Sequence, residues 1–336
     1  MFVVIDCGST TTRLYFLRGD EVVIKGEVPF GVNSTVATGS NSKLKQGIAD
    51  EITKLLAANK LSISDVRFAI ASGMITSNLG LLEVPHLVAP VQIDDLAKFA
   101  EQRRDPDILP LDLPVIFIPG IKNSVDEGGW ENIRKIDLMR GEEAQAVGVL
   151  NRYKPSLPCN IIELGSTTKL IHIDSNGCIA GSVTTLSGQV YGAVLKETFI
   201  GASVKAETQG AEIFSEQILK SAYECVQQSG LLRTLLFTRF IQFSLPTTAE
   251  ERRFFCEAAI AADDMKLFND AEEKGFDLTG DIIFVGRKER CKLYETMLRT
   301  VKGMTNFVKT ISDPVEIDML AVSGASYVAK SISINR

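Results

Sequence analysis

At 336 residues, 45% of them hydrophobic and 23% charged, the chain is too long for one ordinary core and is expected to form two domains of roughly 150 residues each. A formal net charge of -6 leaves no basic footprint, so neither nucleic acid nor an anionic membrane is expected as a partner. Two histidines, His86 and His172, and six scattered cysteines exclude a Ser-His-Asp triad and a multi-histidine or Cys-x-x-Cys metal centre, which leaves a carboxylate as the expected general base.

From the start of the chain, Phe2-Val3-Val4-Ile5 enters a short apolar run with no basic stretch before it, and no run elsewhere approaches the ~18 apolar residues of a membrane span. A cytoplasmic protein is expected. Residues 2–6, then Gly8-Ser9-Thr10, then the β-rich run 12–17 ending at Gly19-Asp20 predict a hairpin, and residues 21–28 a third antiparallel strand. Leu44, Ile48, Ile52, Leu55 and Leu56 recur at helical spacing after Ser42, so the first helix is expected over 42–59. Residues 66–71 are expected as a buried strand, 93–104 as a helix, and 115–118 as a strand ending at Pro119-Gly120.

A helix is expected to open near Gly141 and to be stopped by Pro155 and Pro158, the clearest linker in the chain. After it the opening pattern returns. Ile161-Ile162-Glu163-Leu164-Gly165-Ser166-Thr167-Thr168 repeats Val4-Ile5-Asp6-Cys7-Gly8-Ser9-Thr10-Thr11 in type and order, and Ser175-Asn176-Gly177 supplies a second hairpin turn. The rest is expected to be mostly helical, with late strands at 281–285 and 318–322, each followed by a glycine (Gly286, Gly324), and a last helix near 326–331.

An acid followed by Gly-Ser-Thr in a hairpin turn suits triphosphate. Glycine lets the backbone approach, and successive N–H groups with small hydroxyls point at phosphate oxygens. Gly8, Ser9 and Thr10 form the first such loop, and Gly165, Ser166 and Thr167, followed by Lys169, the second. Asp6 and Glu163, just before them, are placed to hold Mg²⁺ through its waters. No P-loop G-x-x-x-x-G-K-[ST] occurs.

The order of these segments resembles the phosphate-1, phosphate-2 and adenosine motifs of the sugar kinase/actin/Hsp70 superfamily, with Val285-Gly286 as the adenosine turn. Four further segments narrow the likeness: Gly73-Met74-Ile75-Thr76-Ser77-Asn78-Leu79-Gly80, Ile118-Pro119-Gly120, Met139-Arg140-Gly141-Glu142-Glu143-Ala144-Gln145, and residues 188–201. Together they resemble the 2-dehydro-3-deoxygalactonokinase family, whose members phosphorylate the terminal hydroxyl of a six-carbon 2-keto-3-deoxy sugar acid. The family's second loop usually reads P-G-T-H-S-K-W. Here Leu164-Gly165-Ser166-Thr167-Thr168-Lys169-Leu170 keeps the lysine without the histidine and tryptophan, and Cys7 and Leu81 also replace tryptophans.

The resemblance implies an α/β chain of two ribonuclease H-like (actin/hexokinase-type) domains with a nucleotide cleft between them, over residues 1–153 and 159–325, with residues 326–336 packing back on the first. It implies ATP and Mg²⁺ as cofactors and a small sugar-acid substrate, and is compatible with a homodimer. Glu143 is the favoured base, with Glu142 as the alternative or as a structural partner of Arg140. A carboxylate in a first helical turn is also stabilised by the helix dipole alone. Arg13 and Arg140 are candidate contacts to a substrate carboxylate or phosphate, or else salt-bridge residues, and Ser77 and Asn78 are candidate polyol contacts or turn caps. The run Arg287-Lys288-Glu289-Arg290 either covers adenine or forms a solvated face. Two other functions stay open. One is a phosphohydrolase of the exopolyphosphatase/guanosine pentaphosphatase type, which the modest glycine content of the second loop disfavours; the other is a non-catalytic actin-like sugar- or nucleotide-binding protein.

Overall fold

The apolar run at the start of the chain forms β1 (Phe2–Cys7), which pairs antiparallel with β2 (Thr12–Arg18), and β2 with β3 (Glu21–Val28). These assignments come from a computed structural model, which describes residues 1–124, 129–205 and 213–334. α1 (Asn33–Thr38) and α2 (Ser42–Ala58) follow, then β4 (Ala69–Gly73), β5 (Leu87–Val88), α3 (Ile93–Lys98), β6 (Glu101–Arg103), β7 (Val115–Phe117), β8 (Ile121–Lys122), β9 (Leu138–Met139) and α4 (Glu142–Tyr153). Beyond the proline-rich linker come β10 (Cys159–Leu164), β11 (Thr168–Ile173), β12 (Ile179–Thr185), α5 (Ser187–Glu197), α6 (Ile200–Ser203), α7 (Glu216–Ser229), α8 (Leu231–Ser244), α9 (Ala249–Glu273), β13 (Asp281–Gly286), α10 (Lys288–Val301), β14 (Val308–Ile311) and α11 (Pro314–Ile334).

The chain divides into two compact units, one of residues 1–157, 173–182 and 315–336, the other of 158–172 and 183–314. In the first, a six-stranded sheet runs β3-β2-β1-β4-β7-β6, with β4 parallel to β1 and β7 parallel to β4. α2 lies on β3 and buries Leu44, Ile48, Ile52 and Leu56 of the helically spaced set, at about 1.5–3 kcal/mol per side chain, while Leu55 is half-buried. They join Val3, Ile5, Leu14, Phe16 and Phe117 in one core. A five-stranded sheet, centred on β10 and β13 of the second unit, runs β12-β11-β10-β13-β14, again with two parallel neighbours beyond the opening strands, so the duplication read in the sequence extends to strand order. That unit's core gathers Ile162, Leu170 and Phe284 from the sheet with Leu219, Leu267, Leu293 and Tyr294 from the helices.

Four expectations need correction. The helix over 93–104 stops at Lys98; Glu101–Arg103 instead pairs antiparallel with β7, since the charged segment of low strand propensity is recruited as the sheet's edge. Residues 66–71 supply strand only from Ala69. Residues 318–322 are not a strand, and the last helix does not wait for Ser326. Both lie within α11, which starts at Pro314, a residue suited to a helix's first turn. A short apolar run such as Met319-Leu320-Ala321-Val322 fits either state, and here Leu320, Ala321, Ala325, Val328 and Ala329 are buried along one helix.

Candidate active site

The C-terminal end of β1 places Asp6 in register between Arg13 on β2 and Ser72 on β4. The Arg13 guanidinium lies 3.5 Å from Asp6 Oδ2 and 3.6 Å from Asp318 Oδ1 on α11, so it holds two carboxylates together. Burial pushes the Asp6 carboxyl above its ordinary range, Arg13 opposes that shift, and the nearby charges of Asp318 and Glu142 add to it. Arg13 is thus engaged in an ion-pair cluster within its own unit.

Two glycines bring the acid pair of α4 to the same place. Gly73, at φ 84, sits so close to β1 that an added Cβ would lie 2.5 Å from the Cys7 carbonyl oxygen. Gly141, at φ 116, would put a Cβ 3.1 Å from the Gly73 Cα. Stacked on these close approaches, α4 opens with Glu142 and Glu143. The backbone N–H of Arg140 donates to Glu142 Oε2 (2.9 Å) and that of Gly141 to Glu143 Oε2 (2.7 Å). Glu143 is fully buried, and its Oε1 has no hydrogen-bond partner. Burial first, and the neighbouring Glu142 charge second, push the Glu143 carboxyl up to about 7.

Arg140 spends its fork on the preceding loop: Nη1 donates to the Thr76 carbonyl and hydroxyl oxygens (both 2.5 Å), and Nη2 to the Val84 carbonyl (2.9 Å) and His86 Nδ1 (3.1 Å). The arginine thereby ties the Gly73–Gly80 segment to the acid pair. In that segment Ser77 is buried and makes turn contacts, its hydroxyl donating to the Met74 carbonyl (2.7 Å) and accepting from the Leu79 N–H (3.3 Å). Asn78 is exposed.

Gly8, Ser9 and Thr10 form an exposed turn closed by Gly8 N–H donating to the Thr11 carbonyl (2.9 Å), and α1 braces it from behind, with Val32 N–H on the Gly8 carbonyl (3.2 Å) and Asn33 N–H on that of Ser9 (2.9 Å). The second unit repeats the device. Gly165 N–H donates to the Thr167 carbonyl (3.0 Å), and α5 braces the loop through Gln189 N–H on the Ser166 carbonyl (2.8 Å). A Cβ on Gly31 would lie 2.1 Å from the Gly8 oxygen, and one on Gly188 2.3 Å from the Gly165 oxygen, so both braces need glycine. A Cβ on Gly8 or Gly165 would instead meet nothing closer than 3.4 Å. Both loops therefore present open space in front of them, a fit to phosphate.

Glu163 precedes the second loop on β10, in register with Val285, and Lys169 on β11 is buried. Gly286 ends β13 beside Leu164 at φ 154, where a Cβ would fall 2.9 Å from the Leu164 oxygen. Among the described residues no group of three His, Cys, Asp or Glu could hold a bare metal ion, and no helix is long and apolar enough to cross a membrane.

Sequence reasoning missed two groups. Asp318 was hidden by the strand misreading. Arg290, taken within a charged run, is buried behind the second loop with Tyr294 and Asp264. The i, i+4 spacing of Arg290 and Tyr294 on α10 was the only available signal.

A strand, an acid and a Gly-Ser-Thr turn, twice, in two sheets of matching order, define the α/β fold of actin/hexokinase-type kinases. Residues 6–313 match the model of the 2-keto-3-deoxy-galactonokinase family, and the chain belongs to that family; it is a sugar-kinase phosphotransferase. Among solved structures, a candidate 2-dehydro-3-deoxygalactonokinase from Sinorhizobium meliloti is 19% identical over 99% of each chain with a TM-score of 0.75, a likeness of fold. Component A of the Acidaminococcus fermentans (R)-2-hydroxyglutaryl-CoA dehydratase (16% identity, 98% of each chain, TM-score 0.47) is more distant. So is a candidate N-acetylglucosamine kinase from Porphyromonas gingivalis (14% identity, 96% of this chain and 99% of that one, TM-score 0.47). Among curated proteins none matches the chain.

Proposed function

We propose that the protein transfers the γ-phosphoryl group of Mg-ATP to the terminal hydroxyl of 2-keto-3-deoxy-galactonate, giving the 6-phosphate and ADP. The single observation that carries the mechanism is Glu143, a buried carboxylate with one oxygen fixed by a backbone N–H and the other bare. Poised near neutrality, it takes the hydroxyl proton on Oε1 as the substrate oxygen bonds to the γ-phosphorus and the bond to the bridging oxygen of ADP breaks. Glu142, half-buried and accepting from the Arg140 N–H, keeps the base's proton affinity high by its charge.

Gly8, Ser9 and Thr10 in the first unit, and Gly165, Ser166, Thr167 and Lys169 in the second, bind phosphate oxygens, and Gly286, the turn that ends β13, takes the adenosine role. Mg²⁺, when bound, neutralises phosphate charge, and Asp6 and Glu163 are the residues that would hold it. Asp6, whose burial raises its proton affinity, and the Asp318 carboxylate gathered with it on Arg13 fit a cation. Arg13 keeps Asp6 in place, Arg140 orders the loop carrying Ser77 and Asn78, and Asn78 is the side chain in that loop exposed toward a polyol. The protein works on a dissolved sugar acid in the cytoplasm.

The test is ADP release with Mg-ATP against 2-keto-3-deoxy sugar acids, aldonates and hexoses, with polyphosphate as control. Turnover that depends on 2-keto-3-deoxy-galactonate is expected. Phosphate release from polyphosphate with no sugar-dependent turnover would sink the reading.

A further inference from the structure

Behind the second Gly-Ser-Thr loop lies a buried polar relay that the proposed chemistry does not use. Arg290, on the first turn of α10 and 8% exposed, donates through Nη1 to the Gly165 carbonyl (2.6 Å) and through Nη2 to the hydroxyls of Thr168 and Ser187 (3.1 Å each). Its guanidinium also stands over the Tyr294 ring, 5.6 Å from the centroid, one helical turn along. The Tyr294 hydroxyl donates to Asp264 Oδ2 on α9 (2.5 Å), and the other Asp264 oxygen accepts from Thr185 on β12 (2.7 Å). Asp264 is 4% exposed and Tyr294 1%. The buried cation and buried anion are thus joined through a phenol, and every member is hydrogen-bonded, which is the condition under which such a network specifies one arrangement.

The contact to Gly165 has a directional consequence. A trans peptide is planar, with C=O and N–H on opposite sides. Holding the Gly165 carbonyl toward Arg290 therefore turns the Ser166 N–H the opposite way, out of the loop's supported side. The first loop obtains the same orientation chiefly from a main-chain amide, because Val32 N–H takes the Gly8 carbonyl (3.2 Å), with the Cys7 thiol also directed at that oxygen (3.5 Å). In the second loop the corresponding α5 amide, on Gln189, is displaced by one residue onto Ser166, which leaves the Gly165 carbonyl to a side chain. Arg290 fills the place that a main-chain amide occupies in the first copy.

We infer that Arg290, held by the Tyr294–Asp264 relay, is the positioning residue that presents the second loop's N–H groups to the phosphates of the nucleotide. This rests on the nucleotide reading above. Arg290 does not touch substrate on this view; it acts through Gly165 and Ser166, so its loss changes nucleotide binding and leaves the sugar-acid contacts alone. Lysine cannot replace it, since the fork must reach a carbonyl and two hydroxyls at once.

The experiment uses the full chain with Arg290→Lys and, as the gentler change, Tyr294→Phe, which removes only the hydroxyl that links the relay to Asp264. Calorimetric titration with Mg-ATP in the absence of sugar acid, melting curves, and separate KM values for ATP and for 2-keto-3-deoxy-galactonate are measured. Expected is an ATP affinity about tenfold weaker in folded Arg290→Lys, the size of one charged hydrogen bond, and a smaller loss in Tyr294→Phe, with KM for the sugar acid unchanged in both. A folded variant that binds ATP as tightly as wild type overturns the inference, as does an equal rise in both KM values. If Arg290→Lys does not fold, Tyr294→Phe decides alone. Wild type that binds no nucleotide would instead overturn the kinase reading itself, so the two failures are separate.

Discussion

A carboxylate buried beside another carboxylate holds its proton more tightly, and Glu143 shows both causes. Its carboxyl is pushed up to about 7 from the ordinary 4.5, so between those pH values the folded chain keeps a proton that the unfolded chain has lost. This group's contribution to stability therefore falls as pH rises through that window and stays low above it. In the proposed mechanism activity runs the other way, because Glu143 must be ionised to act as the base. kcat/KM is expected to climb about tenfold per pH unit below pH 7 and to level off above it, as a rate profile with saturating Mg-ATP will check. Glu143→Gln is expected to lower kcat by about 10²–10⁴ and to melt no lower than wild type at pH 8, while Glu142→Gln keeps most activity with its acidic limb shifted down. Near-normal turnover in Glu143→Gln with loss in Glu142→Gln would reverse the assignment. Glu143 was legible in the sequence because two acids after a glycine mark a helix start. Which acid was buried was not, since that depends on Gly73 and Gly141 bringing three backbones together.

α4 reaches its position through a helix crossing that only glycine allows. A Cβ on Gly324 of α11 would lie 1.8 Å from the Ala144 carbonyl oxygen, and one on Gly148 of α4 2.0 Å from that of Leu320, so the two helices meet backbone to backbone. Ala144 follows the proposed base, Glu143, directly. Gly324→Ala is accordingly expected to cost about 1–3 kcal/mol and to lower kcat at the same time, measured as denaturant midpoint and initial rate on one preparation. Gly192 on α5, with nothing within 4 Å of its Cβ position, is the control; alanine there is expected to stabilise by about 0.5–1 kcal/mol with activity unchanged. Asp318→Asn, at an ion pair 38% and 44% exposed on its two sides, is expected to move stability by less than about 1 kcal/mol. α11 was the element least legible in the sequence. Its apolar stretch is short enough to pass for a strand, and the glycine that looked like a strand's end is the point where one helix lies on another. α2, by contrast, was legible almost to the residue, because a long amphipathic stripe packed on one sheet leaves no second reading.

Across the whole molecule the duplication organises both units: an acid, a turn of Gly-Ser-Thr, and a glycine that lets a following helix brace the turn. The turns could be read from the sequence, because the repeat is local and identical in type. Their supports could not, since Gly31 and Gly188 lie far from the turns along the chain and Arg290 farther still. The geometry separates two kinds of glycine with opposite expected phenotypes. Gly31→Ala and Gly188→Ala drive a methyl into backbone oxygen and are expected to lower the melting temperature. Gly8→Ala and Gly165→Ala place a methyl where the protein has no atom within 3.4 Å, so both are expected to melt like wild type. The space they fill is the space proposed for phosphate, and each is expected to weaken Mg-ATP binding at least about tenfold by calorimetric titration, since a methyl there keeps phosphate from the backbone N–H groups. The four variants form one experiment. If Gly165→Ala binds ATP like wild type while Gly8→Ala does not, the second copy braces its sheet without serving the nucleotide. If both lose binding and keep their melting temperatures, the duplicated turn is a phosphate-binding element in each unit, and the braces behind it are what the fold preserves.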